Sequence, residues 1–189
     1  MVDKYFDSCI PNFREEADLD YPLINCATNL YKSVTKYVDE TKLNLALAEI
    51  FKLIDAANKY IDDTTPWILG KQVECKPRLA TVLYNLLESI RYIAVMLQPM
   101  MPQTAELIFE SLNTKLNTWE SVEDFGGLAT GEKVGEAKPM FARIDEEKKL
   151  LTVTEGGMGK RTEFSDFRLM KNRGGKGVCC QNITDKTGK

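Results

Sequence analysis

Between Tyr21 and Asn113 apolar residues recur every three or four positions, and each run is closed by proline or by turn-prone residues. That pattern confines the segment to amphipathic helices stacked on one another. Leu23, Ala27, Leu30, Tyr31, Val34, Tyr37 and Val38 share one face of a helix predicted from about Tyr21 to Val38. Leu43, Leu47, Ile50, Phe51, Ile54 and Ile61 do so from about Lys42 to Ile61, with Thr41 as candidate cap. A longer helix, about Lys76 to Gln98, opens on Pro77 and is the most uniformly apolar, so it is expected at the centre. Pro99 and Pro102 then force a corner before a last helix, about Gln103 to Asn113, with Ala105, Ile108, Phe109 and Leu112 inward. Short turns between such helices predict a mainly α, antiparallel up-and-down bundle.

The flanks of this core are less regular. Met1 to Ser8 reads as the exit of a helix, and Cys9 to Asp20 as a loop broken by Pro11. In that loop Glu15, Glu16, Asp18 and Asp20 favour the positive end of the next helix. Asp124 to Lys138, with four glycines, reads as a flexible connection.

One junction stands apart from the stripes. After Ala56-Ala57-Asn58-Lys59-Tyr60-Ile61 come Asp62-Asp63-Thr64-Thr65, which favour a turn, and then Pro66-Trp67. Proline cannot continue the helix and biases Thr65 towards extended backbone. Trp67 lands just past the break, either as a plug in the core or as a platform on which a planar group stacks.

Histidine is absent, which removes the commonest general base and metal ligand and any Ser-His or Cys-His pair. The Asp and Glu residues show no paired spacing that suggests acid/base or metal chemistry. Cys9, Cys26, Cys75, Cys179 and Cys180 are odd in number and lack C-x-x-C spacing, so free thiols are expected. No signal-peptide pattern and no apolar run of membrane-spanning length is read, so a cytoplasmic setting without membrane contact is the expectation. Charge divides unevenly along the chain. Residues 1–149 carry 17 Lys and Arg against 24 Asp and Glu, whereas 150–189 carry 8 against 4. The shift from acidic to basic marks a boundary near Leu150.

Tyr60-Ile61-Asp62-Asp63, Thr65-Pro66-Trp67 and Arg78-Leu79-Ala80-Thr81-Val82-Leu83-Tyr84 resemble the anticodon-binding domain of methionyl-tRNA synthetases. Tyr5-Phe6-Asp7, Leu97-Gln98-Pro99-Met100-Met101-Pro102 and Pro139-Met140-Phe141-Ala142-Arg143-Ile144 follow in that family's order, over about residues 1–149. The resemblance implies a bundle of the class I synthetase anticodon-binding type, with methionine-specific tRNA as partner. It implies that Trp67 stacks on an anticodon base and that Pro66 shapes its loop. Asp62 and Asn58, one to two turns back, line the same surface or are simply a solvated helix end. The family's first helix starts earlier and carries an asparagine and an arginine that read anticodon bases, at positions outside this chain. Its ATP and methionine sites belong to a catalytic domain whose signatures are not found here. The expectation is therefore recognition without chemistry: the parent reaction attaches methionine to tRNA, and this chain alone is inactive. The rival is a helical scaffold or interaction module without tRNA binding.

The last forty residues follow another rule. Leu150 to Glu155 is β-prone, and Gly156-Gly157 signals a hairpin. Leu151-Thr152-Val153-Thr154-Glu155, Gly159-Lys160-Arg161-Thr162 and Asn172-Arg173-Gly174-Gly175-Lys176-Gly177-Val178 resemble one repeat of the DNA-wrapping C-terminal domain of the gyrase A subunit. One repeat cannot bury its face alone, so residues 150–189 are expected to form a hairpin-like or disordered tail. Lys160, Arg161, Arg173 and Lys176 beside glycines are candidates for unspecific contact with a nucleic-acid backbone, DNA in a fusion reading.

Overall fold

The structure is a computed structural model and describes residues 1–12, 14–136, 140–141, 149–154 and 159–163. The chain divides into two compact units, Met1–Met140 and Phe141–Lys189.

In the first unit six α-helices follow in order: α1 Val2–Phe6, α2 Asp20–Asp39, α3 Leu43–Thr64, α4 Pro66–Leu69, α5 Lys76–Leu97 and α6 Pro102–Leu112. A 3-10 turn, Trp119–Val122, comes after them. α5 packs against α2, α3, α4 and α6, and residues around its whole circumference are buried. It is long and apolar enough to cross a bilayer, contrary to the sequence expectation. Yet 89% of its most apolar window is buried inside the bundle, as befits a core helix.

The stripes of α2 and α6 fall where periodicity puts them, with Leu23, Ala27, Leu30 and Val34 buried on one and Ala105, Ile108, Phe109 and Leu112 on the other. On α3 the face is rotated. Ala46, Ile50, Leu53 and Tyr60 are buried, whereas Leu43 and Phe51, expected inside, are 54% and 56% exposed. The larger apolar residues mark a shoulder of the helix, and small Ala46 lies on the side that packs closely against its neighbours. Thr41 is no side-chain cap either, since Lys42 holds the N-cap position and the Thr41 hydroxyl donates to the Glu40 carbonyl.

The connection after α6 is pinned. Ile10 N–H donates to the Glu132 carbonyl, Gly131 N–H to Ile10, Val134 N–H to Ser8 and Gly135 N–H to Ser111, and Cys9 bridges Lys133 in antiparallel fashion. Upstream of this, a buried ion pair on α5 holds the segment down. Arg91 Nε donates to Glu88 Oε2 at 2.8 Å, Arg91 Nη1 reaches the Ser121 carbonyl at 2.8 Å, and Glu88 accepts the Leu128 N–H. Both side chains have 0% exposure. The flexible connection expected from the glycines is therefore ordered through Glu136 by backbone and charged hydrogen bonds.

In the second unit β1, Lys149–Val153, pairs antiparallel with β2, Gly159–Glu163. The joining residues 155–158, with Gly156-Gly157, lie outside the described residues.

Candidate nucleic-acid interface

The α3–α4 corner is built from the inside out. Tyr60, on the last turns of α3, is buried, and its hydroxyl donates to Asp20 Oδ1 at the start of α2. Arg78, in the first turn of α5, clasps the same carboxylate with two parallel bonds of 2.7 Å, Nη1 to Oδ2 and Nη2 to Oδ1. The Ala17 N–H donates to Oδ2 at 2.9 Å, and Asn85 Nδ2 reaches the Tyr60 oxygen at 3.4 Å. Asp20, only 2% exposed, thus ties α2, α3 and α5 at one point.

The charges are tuned accordingly. Burial is the largest influence on Asp20 and acts upward, but the bonds from Arg78, Tyr60 and Ala17 together outweigh it and leave its pKa lowered. Burial first, and then the bond to Asp20, push the Tyr60 hydroxyl well above its usual range. The hydrogen bonds to Asp20 also raise Arg78. Asp20 stands in the first turn of α2, as expected for an acidic residue at the positive end of the helix, and it is also buried, because the guanidinium and phenol complete its lone pairs.

From this anchor α3 runs a turn further than expected. Asp62, Asp63 and Thr64 are helical, and Thr64 Oγ1 donates back to the Tyr60 carbonyl at 2.6 Å. The break falls on Thr65, with φ 41° and ψ 60°, left-handed where proline alone predicted extended backbone. A β-branched residue in that region costs about 1–3 kcal/mol. Thr65 closes α3, its N–H donating to Ile61, and opens α4, its carbonyl accepting from Ile68.

α4 then folds back on α5. Pro66 is buried and Leu69, three residues on, packs into the apolar clusters of the bundle. Helical spacing turns the two residues between them outward, so Trp67 is 45% exposed and Ile68 48%. Trp67 is therefore not a plug in the core. Asn58 and Asp62 stand four apart on one exposed line of α3. Among the described residues Asn58, Asp62 and Trp67 make no side-chain hydrogen bond or ion pair within the chain.

Of the tail candidates, Lys160 and Arg161 are not brought together. Thr152 pairs with Lys160 and Leu151 with Arg161, so the two basic residues stand on opposite faces of the hairpin. Arg173 and Lys176 lie outside the described residues. Cys9, Cys26 and Cys75 are free thiols, and no group of His, Cys, Asp and Glu among the described residues is placed to hold a metal.

Trp67, Asn58 and Asp62 thus stand exposed near the α3–α4 corner of a helical bundle. The family model described as "Anticodon binding domain of methionyl tRNA ligase" matches residues 10–155, and the chain belongs to that family. Residues 148–189 match the model for the DNA gyrase C-terminal β-propeller domain. A methionine–tRNA ligase from Caldanaerobacter subterraneus subsp. tengcongensis is 42% identical over 171 residues, which cover 89% of this chain and 27% of that protein. The ligase of Clostridium perfringens is 47% identical over 150 residues, 79% of this chain and 23% of that protein. The apo crystal structure of Mycobacterium tuberculosis methionyl-tRNA synthetase is 31% identical, with a TM-score of 0.72 over 77% of this chain and 30% of that one. The chain spans about a quarter of the length of the curated relatives it matches.

Proposed function

We propose that this chain docks the anticodon stem-loop of methionine tRNA, as the recognition segment of a ligase that joins methionine to tRNA at the expense of ATP. The ATP and methionine sites, on this reading, belong to parts of the ligase other than this chain, and the setting is the cytoplasm. The observation that carries the reading is Trp67, half-exposed on a corner that Pro66, Thr65 and the Asp20–Tyr60–Arg78 anchor hold fixed. A splayed base stacks on its indole, while Asp62 and Asn58 offer acceptors and donors to base edges.

The test is binding of an anticodon stem-loop to the full chain, against the same stem-loop with the methionine triplet replaced. The expected result is tighter binding of the methionine triplet. Trp67→Ala weakens it by about 1–3 kcal/mol, the worth of base–aromatic stacking, and leaves the helical melting transition nearly unchanged. Equal affinity for both triplets would make the bundle a general scaffold. A large loss of thermal stability without loss of affinity would make Trp67 a packing residue. For the tail, unspecific contact with a phosphate backbone proceeds through Lys160 or Arg161 singly, given their opposite faces.

A further inference from the structure

Just beyond the tryptophan, three lysines from separate stretches of chain meet around one cleft of about 210 Å³: Lys4 of α1, Lys71 after α4, and Lys76 at the start of α5. Helical hydrogen bonding continues past α4, Gly70 N–H to Pro66, Lys71 N–H to Ile68 and Gln72 N–H to Leu69, so Lys71 stands about one turn beyond Trp67. The floor of the cleft is tightly made. The Tyr5 ring of α1 lies against Gly70, where an added Cβ would displace the end of that ring.

Two of the ammonium groups lie near aromatic rings, and among the described residues none of the three meets a carboxylate. Lys4 Nζ lies 5.0 Å from the centroid of the Tyr5 ring, and Lys76 Nζ lies 5.5 Å from that of Phe6. No carboxylate lines the cleft, and among the described residues none of the three lysines forms an ion pair. Lys42 and Lys52 elsewhere on the surface are each paired with a glutamate. An acidic body that binds a polyanion needs a local basic site, and compact lysine charges suit a phosphate.

We propose that this cleft holds one backbone phosphate of the same RNA strand whose base stacks on Trp67. The proposal rests on the reading of Trp67 given above and extends it: the indole takes a base, and the lysines fix the strand's path beyond it. Such a contact adds affinity and register without reading sequence.

The experiment measures stem-loop binding by the full chain as a function of salt, for the parent, for Lys4→Gln/Lys71→Gln/Lys76→Gln, for Trp67→Ala, and for Lys42→Gln as a control at the opposite end of α3. One phosphate contact on a single strand contributes about 0.7 to the slope of log affinity against log salt. The triple variant is expected to lose that 0.7, binding about fivefold more weakly at 0.1 M salt and equally well near 1 M. Its preference for the methionine triplet is expected to persist. Trp67→Ala should weaken binding with the slope intact, and Lys42→Gln should behave as the parent. If the parent binds and the triple variant keeps its slope, the phosphate site is overturned while the Trp67 reading stands. If the parent binds no stem-loop, both are overturned.

Discussion

Asp20→Asn strikes the point where α2, α3 and α5 are tied, at almost unchanged shape. The carboxylate accepts four hydrogen bonds, two on each oxygen, from Arg78, Tyr60 and the Ala17 N–H. Asparagine can serve only one of those positions with its oxygen. Its amide group then faces donors, Arg78 Nη1 and the Ala17 N–H, if the oxygen stays with Tyr60. Breaking a buried ion pair costs about 3–5 kcal/mol. The Arg78 side chain keeps 15% of its surface in water, which places the loss near the lower end, about 3 kcal/mol. For a chain of this size that lowers Tm by roughly 6–12 °C. Urea or thermal unfolding of the full chain near pH 7 reads it directly. The sign of the pH dependence is fixed too. Asp20's folded pKa lies below its unfolded value, so its stabilisation is whole above the ordinary carboxylate range and is lost as pH falls through the folded pKa. The gap between parent and variant must therefore narrow on acidification below about pH 4. A gap under about 1 kcal/mol at neutral pH, or one of constant size down to pH 3, would refute the role assigned to this pair.

Glu88→Ala leaves Arg91 charged and buried without its partner and should cost about 3–5 kcal/mol, with early amide exchange at Leu128, whereas Glu88→Leu combined with Arg91→Met should recover most of it. Gly135→Ala drives a Cβ into the Glu110 carbonyl on the backbone of α6, and a loss of about 1–3 kcal/mol in urea unfolding is expected. Phe51→Ser should change stability by no more than about 0.5 kcal/mol, while Ile50→Ala, one residue away and fully buried, should cost about 2–5 kcal/mol. Equal losses at the two positions would restore the stripe that periodicity alone suggests.

What sequence discloses here depends on the range of the interaction. α2 and α6 are legible because each buries a face that repeats with the helix, and α5 because it is apolar nearly throughout; both are purely local properties. Proline marks the corner before Trp67 for the same reason, since it acts on its own backbone. α3 is legible only in part: Leu43 and Phe51 repeat with the right period, yet closeness to its neighbours selects the Ala46 side. The anchor beneath the candidate interface was not legible at all. Asp20, Tyr60 and Arg78 come from three different helices, and no spacing rule reports partners that meet only after the bundle has formed. The left-handed Thr65 escaped notice likewise, because nothing about threonine advertises a conformation usually left to glycine or asparagine.

The bridge from Cys9 to Lys133 bears on the order in which the molecule is made. More than a hundred residues of chain separate its two halves, so as a nascent polypeptide emerges, α2, α3 and α5 can collapse while the stretch around Ile10 still lacks its hydrogen-bonding partner. α1 can already lay Val2 against Leu79 and Leu83 of α5, but the backbone around Ile10 must wait for Gly131 to Gly135. A ribosome stalled between α6 and Gly131 would hold a bundle in which the backbone of Ser8 and Ile10 still lacks its partners.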